Sequence, residues 1–540
     1  MGQSNRRAWS GLFRAAFVAT GLLGAVLTTS GCSVSDSDVK RWEKTERGPF
    51  KLYAVVTHDK FAPALRTEAA LSFIRMAPRN GKRIGAECLI DKCKDDNEEW
   101  QQGALLVLSE EKRKELVNNM TPELVRNIKL TPGKRGEDGR LATDPSIPYK
   151  DAAFAMLSHE PSLVSDDKTK ATLKAALNEW AQSAFEDRIE NSSQQFGVEQ
   201  VMRFLGAPSV RALPSMMVDS ANRLDRMVSL VAEIGDEETK KKGSDALVAL
   251  ANKVLSDGWL AEQTKVVKEH NAKSNLKVDD AGVKVQVSKM QERRLTEELF
   301  PAMKKLGGRP IVEFLVAFAS DTKNSDDRRK TALAALEGRV DKNNDKDIDR
   351  LFQIAKDENT PDGTRDVAFA RLGELPKEKI VGKLYTLFDQ PKKWKIRWVA
   401  ASVVLKVIKQ KDVPEFMTHL PKGPGVKMGM GEAVAYGELI NKMEGDPKGK
   451  DVVAPYLKSG ELGPKLSAIG LYYGGKKADQ GALTALEADK SPLPKCDAAD
   501  ECGWACDVPK ASNPKEYEPK ALATVGEFVK LCVVPSMEGK

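Results

Sequence analysis

The segment Arg329-Lys-Thr-Ala-Leu-Ala-Ala-Leu336 returns as Arg365-Asp-Val-Ala-Phe-Ala-Arg-Leu372 and again as Arg397-Trp-Val-Ala-Ala-Ser-Val-Val404. Each copy opens on arginine and sets small and apolar residues at matching offsets, and the arginines lie 36 and 32 residues apart. Looser echoes follow at Gly431-Glu-Ala-Val-Ala-Tyr-Gly-Glu-Leu439 and Pro464-Lys-Leu-Ser-Ala-Ile-Gly-Leu471. A second pair links Met202-Arg-Phe-Leu-Gly-Ala-Pro208 to Met303-Lys-Lys-Leu-Gly-Gly-Arg-Pro310, 101 residues later and close to three such periods. A period of this size is one helical hairpin, too small to bury its own apolar face, so copies must stack. The rest of the chain has the same texture. Apolar residues recur at helical spacing, as in Ala69, Ala70, Leu71, Phe73, Ile74 and Met76, and Gly, Pro, Asp and Asn cut the runs short.

The series resembles HEAT-repeat proteins, in which an Asp-rich turn precedes a second helix whose small residues allow close stacking. Asp326-Asp327-Arg328-Arg329 and Pro361-Asp362-Gly363-Thr364-Arg365 fit that turn. The match is best from about Gly308 to Ile408, and looser from Tyr149 to Ala251 and from Pro424 to Leu486. The resemblance implies an all-α, HEAT-like α-solenoid of stacked helical hairpins, a fold that holds protein partners on an extended surface.

Around this array the sequence divides as follows: an N-terminal helical module at 41–130, a Gly- and Pro-rich linker at 131–149, the repeat array at 150–490 and a Cys-rich cap at 491–540. Within the array, Leu276 and Val278, then Asp279-Asp280-Ala281-Gly282, then Val283, Val285 and Val287 alternate about a Gly-containing turn. That pattern predicts a β-hairpin insertion over 275–290. The segment 491–540 holds Cys496, Cys502, Cys506 and Cys532 with Trp504, and predicts a disulfide-stapled terminal cap with a final helix near Leu522 to Leu531.

The N-terminus carries the parts of an export signal. Arg6, Arg7 and Arg14 precede an apolar stretch from Ala15 to Leu27, and small residues lead to Cys32. Ser30-Gly31-Cys32 resembles a bacterial lipobox, with Thr29 where that motif has Leu or Val. The resemblance implies a signal peptide over 1–31, lipidation of Cys32 with acyl chains such as palmitate, and a polar tether over 32–40. Two rival readings of the same residues stand beside it. Thr29-Ser30-Gly31 also suits an ordinary signal peptidase, and the Arg6-Arg7 pair suits twin-arginine export. Ser33, rather than Asp, after the anchor leans toward the outer membrane of the cell envelope.

Charge and cysteine parity bear on the same point. The net charge is +7; without the three leader arginines, 82 basic residues face 78 acidic ones. A net +4, with no basic stripe interleaved with aromatics, argues against nucleic acid as a partner. Of seven cysteines, setting Cys32 aside leaves six disulfide candidates: Cys88 and Cys93 as a local pair, and the four of the C-terminal cluster. Their spacing is unlike a zinc knuckle.

Other chemistry is thinly represented. His58, His159, His270 and His419 are too scattered for a metal motif and read as surface or helix-end residues. Asp341, Asn343, Asp345, Asp347 and Asp349 mimic a calcium loop, but Lys346 and Phe352 occupy the places of its Gly and Glu. An Asp-rich helix cap explains the same residues. The sequence therefore predicts a non-catalytic, lipid-anchored scaffold with protein partners and no cofactor. The alternative is an exported enzyme or small-ligand-binding protein with its site at the 275–290 insertion or the Cys-rich module.

Overall fold

A computed structural model describes residues 34–79, 81–94, 99–134, 143–219, 223–388, 394–422, 428–443, 448–494 and 503–538. The chain forms two compact units, one from residues up to 130 with 144–173, the other from 131–143 with 174–540. The segment 144–173, placed above partly in a linker and partly in the array, thus packs with the N-terminal unit.

The first unit is helical: α1 (Asp36–Trp42), α2 (Gly48–Thr57), α3 (Pro63–Arg75), α4 (Ile84–Ile90), α5 (Ala104–Val107), α6 (Glu110–Ile128) and α7 (Ile147–Ser158). A small ribbon, β1 (Lys92–Lys94) against β2 (Trp100–Gln102), interrupts it, and the Cys88–Cys93 disulfide ties α4 to that ribbon. Arg75 on α3 holds Glu43 (2.9 Å), Glu68 (2.5 Å) and Glu123 (2.9 Å), so one guanidinium joins three segments. Such a planar fork with several carboxylates suits arginine and not lysine.

Helix α8 (Asp167–Gln182) leads into the second unit, followed by α9 (Phe185–Glu190), α10 (Val198–Leu205), α11 (Leu213–Asp219), α12 (Leu224–Ile234), α13 (Glu237–Leu255), α14 (Asp257–Lys273) and α15 (Asp280–Arg293). A π-helical stretch, Arg294–Leu299, continues α15 directly into α16 (Phe300–Leu306). Pro301 lacks the N–H that an α-helix would use there, which accounts for the widened turn before it. Then come α17 (Arg309–Ser320), α18 (Asp326–Ala335), α19 (Asp345–Lys356), α20 (Asp362–Leu372), α21 (Lys377–Tyr385), α22 (Trp394–Val407), α23 (Val413–His419), α24 (Met430–Asn441), α25 (Gly449–Val453) and α26 (Leu462–Gly470).

These helices stack in two rows. One row runs α10, α12, α16, α18, α20, α22, α24 and α26; the other α11, α13, α17, α19 and α21, with α23 packed on α25 beyond. This is an all-α, HEAT-like arrangement, and every sequence echo falls in the first row. The arginine copies open α18, α20 and α22, and the looser echoes lie on α24 and α26. The 101-residue offset between the Met202 and Met303 segments spans only two steps of the row, from α10 to α16, because α14 and α15 are inserted between. Both segments end on a glycine of positive φ, Gly206 (75°) and Gly307 (69°), whose N–H returns to Met202 O (2.9 Å) and Met303 O (2.8 Å). Glycine closes these helices because a Cβ is disfavoured in that conformation.

The β-hairpin expected over 275–290 is corrected: these residues form a turn and the start of α15. Asp279 caps the helix by accepting the Gly282 N–H at 2.8 Å. Val283 and Val287, one turn apart, pack on Val267 of α14, whereas Val285 between them is exposed. A Val-x-Val-x-Val run satisfies strand alternation and the i, i+4 stripe of a helix equally, and the capping aspartate with the α14 partner decides for the helix.

The ribbon that does exist in this unit lies in the C-terminal segment: β3 (Ala505–Lys510) pairs antiparallel with β4 (Asn513–Ala521). The final helix runs as α27 (Val525–Phe528), a π turn (Val529–Val533) and α28 (Val534–Glu538). The Cys506–Cys532 disulfide joins ribbon to helix. Trp504, buried, stacks edge-on against Phe528 and donates its indole N–H to Met428 O at 3.0 Å, which latches the module to the array before α24.

Candidate functional site

The repeated arginine is a structural clamp. Arg329, Arg365 and Arg397 are 5%, 2% and 4% exposed, so each sits inside the stack. Arg329 Nε donates to Ala319 O (2.8 Å) at the end of α17, and Arg365 reaches Asp357 O (3.2 Å) and Thr360 O just beyond α19. A helix end leaves carbonyls without intrahelical partners, and a cation there meets both that need and the negative pole. Arg66, opening α3 in the first unit, does the same for Val56 O of α2 at 2.9 Å. At offsets of three, four and seven from each arginine lie buried residues: Ala332, Leu333 and Leu336; Ala368, Phe369 and Leu372; Ala400, Ala401 and Val404.

Neighbouring hairpins are also stapled across one period. Lys379–Asp345 (2.9 Å) and Lys383–Asp349 (2.6 Å) are 34 residues apart, Lys395–Asp362 (3.0 Å) and Lys304–Glu337 (2.6 Å) 33, and Arg309–Asp347 (2.8 Å) 38. Asp347, the fourth residue of the calcium-like run, is buried; burial raises its pKa despite the Arg309 charge, and it also accepts from Asn344 at 3.0 Å. The run is thus a turn and helix start that anchors Arg309. Among the described residues no His/Cys/Asp/Glu group is arranged to hold a metal ion.

At α22 and α24 the device changes partner. Arg397 faces Glu432 (3.7 Å), whose carboxylate also accepts the Gly429 N–H (3.0 Å) and the Tyr436 hydroxyl (3.3 Å). Burial holds the Glu432 carboxyl above its ordinary value, more than Arg397 offsets it. In the first unit, Lys150 and Asp151 form a buried pair at 2.5 Å with Arg83 3.4 Å from Asp151. Burial lowers the pKa of Lys150, but a side chain with no exposure cannot meet a substrate.

The accessible site lies at the start of the first row. A cleft of about 440 Å³ opens between α10, α12 and α16, lined by Glu199, Arg203, Arg226, Ser229, Glu233 and Lys305. A second, of about 380 Å³, shares Glu199, Arg203 and Arg226 and extends to Glu190 and Arg223. Arg203 grips Glu233 with Nε at 2.9 and 3.0 Å, and these bonds raise its pKa. Glu199 bridges Arg203 (3.6 Å) and Arg226 (3.2 Å), Arg223 pairs with Glu190 (2.9 Å), and Lys305 Nζ donates to Ser229 Oγ (2.5 Å). The lining is a mesh of both charges, with Ala232 and the stems of the long charged side chains between them. It suits recognition of charged side chains by exchange of ion pairs.

The structure brings together Cys88 with Cys93 and Cys506 with Cys532. Cys32, Cys496 and Cys502 lie outside the described residues, as does the leader. The histidines stay apart. His58 and His159 cap α2 and α7, His270 lies on exposed α14, and His419 closes α23 stacked on Tyr385 at 3.8 Å. Among the described residues no helix is long and apolar enough to cross a membrane. Neither the cleft nor the clamps were read from sequence as sites, although the arginine of each copy was the available signal for the clamps.

No family model and no curated protein matches the sequence. Three solved structures of one protein, Kap121p, show a distant similarity to this chain. They are Kap121p itself (11% identity, TM-score 0.21), Kap121p bound to Ste12p (13%, 0.27) and a Kap121p mutant (12%, 0.24). The matches cover 83%, 84% and 84% of this chain but 46%, 43% and 47% of those chains, so this chain spans less than half their length. At such identity and superposition the likeness says nothing about what this chain binds.

Proposed function

We propose that the chain is an exported lipoprotein, anchored through Cys32, that acts as a non-catalytic scaffold for protein partners in the cell envelope. The observation that carries this reading is the clamped and stapled double row of helices. It fixes charged side chains such as Arg203, Arg226 and Lys305 at set positions along an accessible face. A surface ordered in advance loses little entropy when a partner docks, which favours recognition by an extended contact. The tether expected over 32–40 is largely taken up by α1, which begins at Asp36 and buries Val39, so an anchor at Cys32 would stand within a few residues of the fold and confine the search for partners to the membrane plane.

The test is a pull-down from detergent-solubilised membranes washed beforehand in high salt, comparing wild type with Cys32→Ala. Wild type is expected to stay in the membrane fraction, to carry acyl mass on Cys32 and to retain its partners. The variant is expected to leave with the wash and lose them. A variant that remains with unchanged partners overturns the anchored scaffold. Within that experiment, Arg203→Gln with Arg226→Gln is expected to release a partner docked at the cleft while leaving the thermal midpoint near wild type, since both arginines are exposed.

A further inference from the structure

The α14–α15 pair is a thinly covered part of the second unit. Its two helices pack chiefly on each other, through Val267, Val283 and Val287 with Trp259, Leu260 and Val278 at the edge. Four of the nine exposed large hydrophobic residues of the described chain lie here: Val266, Leu276, Val285 and Met290. Leu276 sits in the turn at the tip. Val266 is seven residues from the end of α14 and Val285 five from the start of α15, so both lie within about 10 Å of the tip.

The charge of this tip is as uneven as its polarity. Residues 265–289 hold six lysines against Glu269, Asp279 and Asp280, a net +3. Lys268 pairs with Asp280 at 2.7 Å, and Asp279 is engaged as the cap of α15. Among the described residues no ion pair or hydrogen bond engages the side chains of Lys265, Lys273, Lys277, Lys284 or Lys289, in contrast to the stapled lysines of the array.

We infer that the tip of this helical pair binds the surface of an anionic lipid bilayer. The placement of the apolar groups chooses this occupant over an acidic protein. Val266 lies beside the buried Val267, and Val285 points away from the seam that Val283 and Val287 fill, with Leu276 capping the end. The three therefore surround the tip and do not form one stripe. A folded partner with a single complementary face covers only part of such a surface; a fluid headgroup layer, entered to about 5–10 Å, covers all of it. Lysines around the tip extend their stems along the apolar surface and keep their ammonium groups among anionic headgroups. The contact does not depend on acylation of Cys32, and it would give the proposed lipoprotein a second, salt-sensitive hold that orients it on the membrane.

The experiment is vesicle flotation of the Cys32→Ala chain, which removes any acyl group from the question. Phosphatidylglycerol–phosphatidylethanolamine vesicles are compared with neutral phosphatidylcholine vesicles, at low and at high salt. Binding is expected on the anionic vesicles alone, and its loss in high salt. Lys273→Gln with Lys277→Gln and Lys284→Gln is expected to weaken it about 100-fold, each lysine charge near such a surface being worth about fivefold. Leu276→Asp is expected to weaken it about tenfold. Thermal midpoints of both variants should match the parent, because every altered side chain is exposed. Equal binding to neutral vesicles, no binding at low salt, or binding untouched by the variants overturns the inference. So does retention of an acidic protein by the tip in the absence of vesicle binding. Failure here leaves the acyl anchor to its own test, and failure of the anchor leaves this result intact.

Discussion

The array from α17 to α22 and the inserted pair α14–α15 are both built of antiparallel helices of moderate length, yet they are held in different ways. In the array an arginine inside the stack closes the helix before it, residues at offsets of three, four and seven fill the core, and ion pairs one period apart fix each hairpin to the next. In the inserted pair three valines and a few half-buried neighbours make the whole core, and most lysines face solvent. The same helical code thus serves two ends. Where every layer is covered it yields a rigid surface; where it is left open it leaves residues for a partner outside the chain.

The comparison can be broken at several points. Phe369→Ala, at no exposure in the middle of α20, should cost about 3–5 kcal/mol and unfold neighbouring hairpins together, measured by denaturant midpoint. Arg365→Ala should cost about 2–3 kcal/mol, because the carbonyls beyond α19 lose a charged donor in a buried place; Arg365→Lys should recover only part of it. Val287→Ala should cost about 1–2 kcal/mol, and hydrogen exchange should speed up in α14 and α15 alone, with the array unaffected. Equal acceleration in α18 and α20 would show that the insertion is not energetically separate.

Glu432 sharpens the comparison through pH. Burial raises its folded-state pKa above the ordinary value of 4.5, so the folded chain binds the proton more tightly than the unfolded one. Its stabilising contribution is therefore complete below that ordinary value and is lost as pH rises through the raised one. The thermal midpoint of wild type minus that of Glu432→Gln should fall steadily as pH is raised through the mildly acidic range. A difference that grows with pH would mean that pairing with Arg397 outweighs burial. The smallest effect belongs to the exposed staples: Lys379→Ala should cost well under 1 kcal/mol by chemical denaturation, and less in high salt.

The stacked fold was legible because three arginine-led copies stand at similar spacings of 36 and 32 residues, and their periodicity survives divergence at single positions. The same signature was present, unread, at Arg66, with Ala69, Ala70 and Phe73 at the offsets that the array buries. The period-spaced lysine and aspartate partners were equally readable once a register was assumed. What was not legible has definite causes. The valines of 283–287 fit strand and helix alike, and only α14 and the Asp279 cap distinguish them. The true ribbon at 505–521 was hidden because Pro509, Pro514 and Pro519 argue locally against strands, whereas the Cys506–Cys532 link and the Trp504 latch act from a distance. The charged cleft joins helices separated by the insertion, so no local pattern announces it.

The stacking also has a mechanical consequence. Because each hairpin packs only on its neighbours, a pull along the array should open it from an end, one hairpin after another. A period of 34 residues, drawn out, reaches roughly 120 Å, so each lost hairpin would lengthen its own share of the array severalfold while the others keep their shape. An array built this way should act as a stepped spring, giving length under load and taking it back when the load is gone.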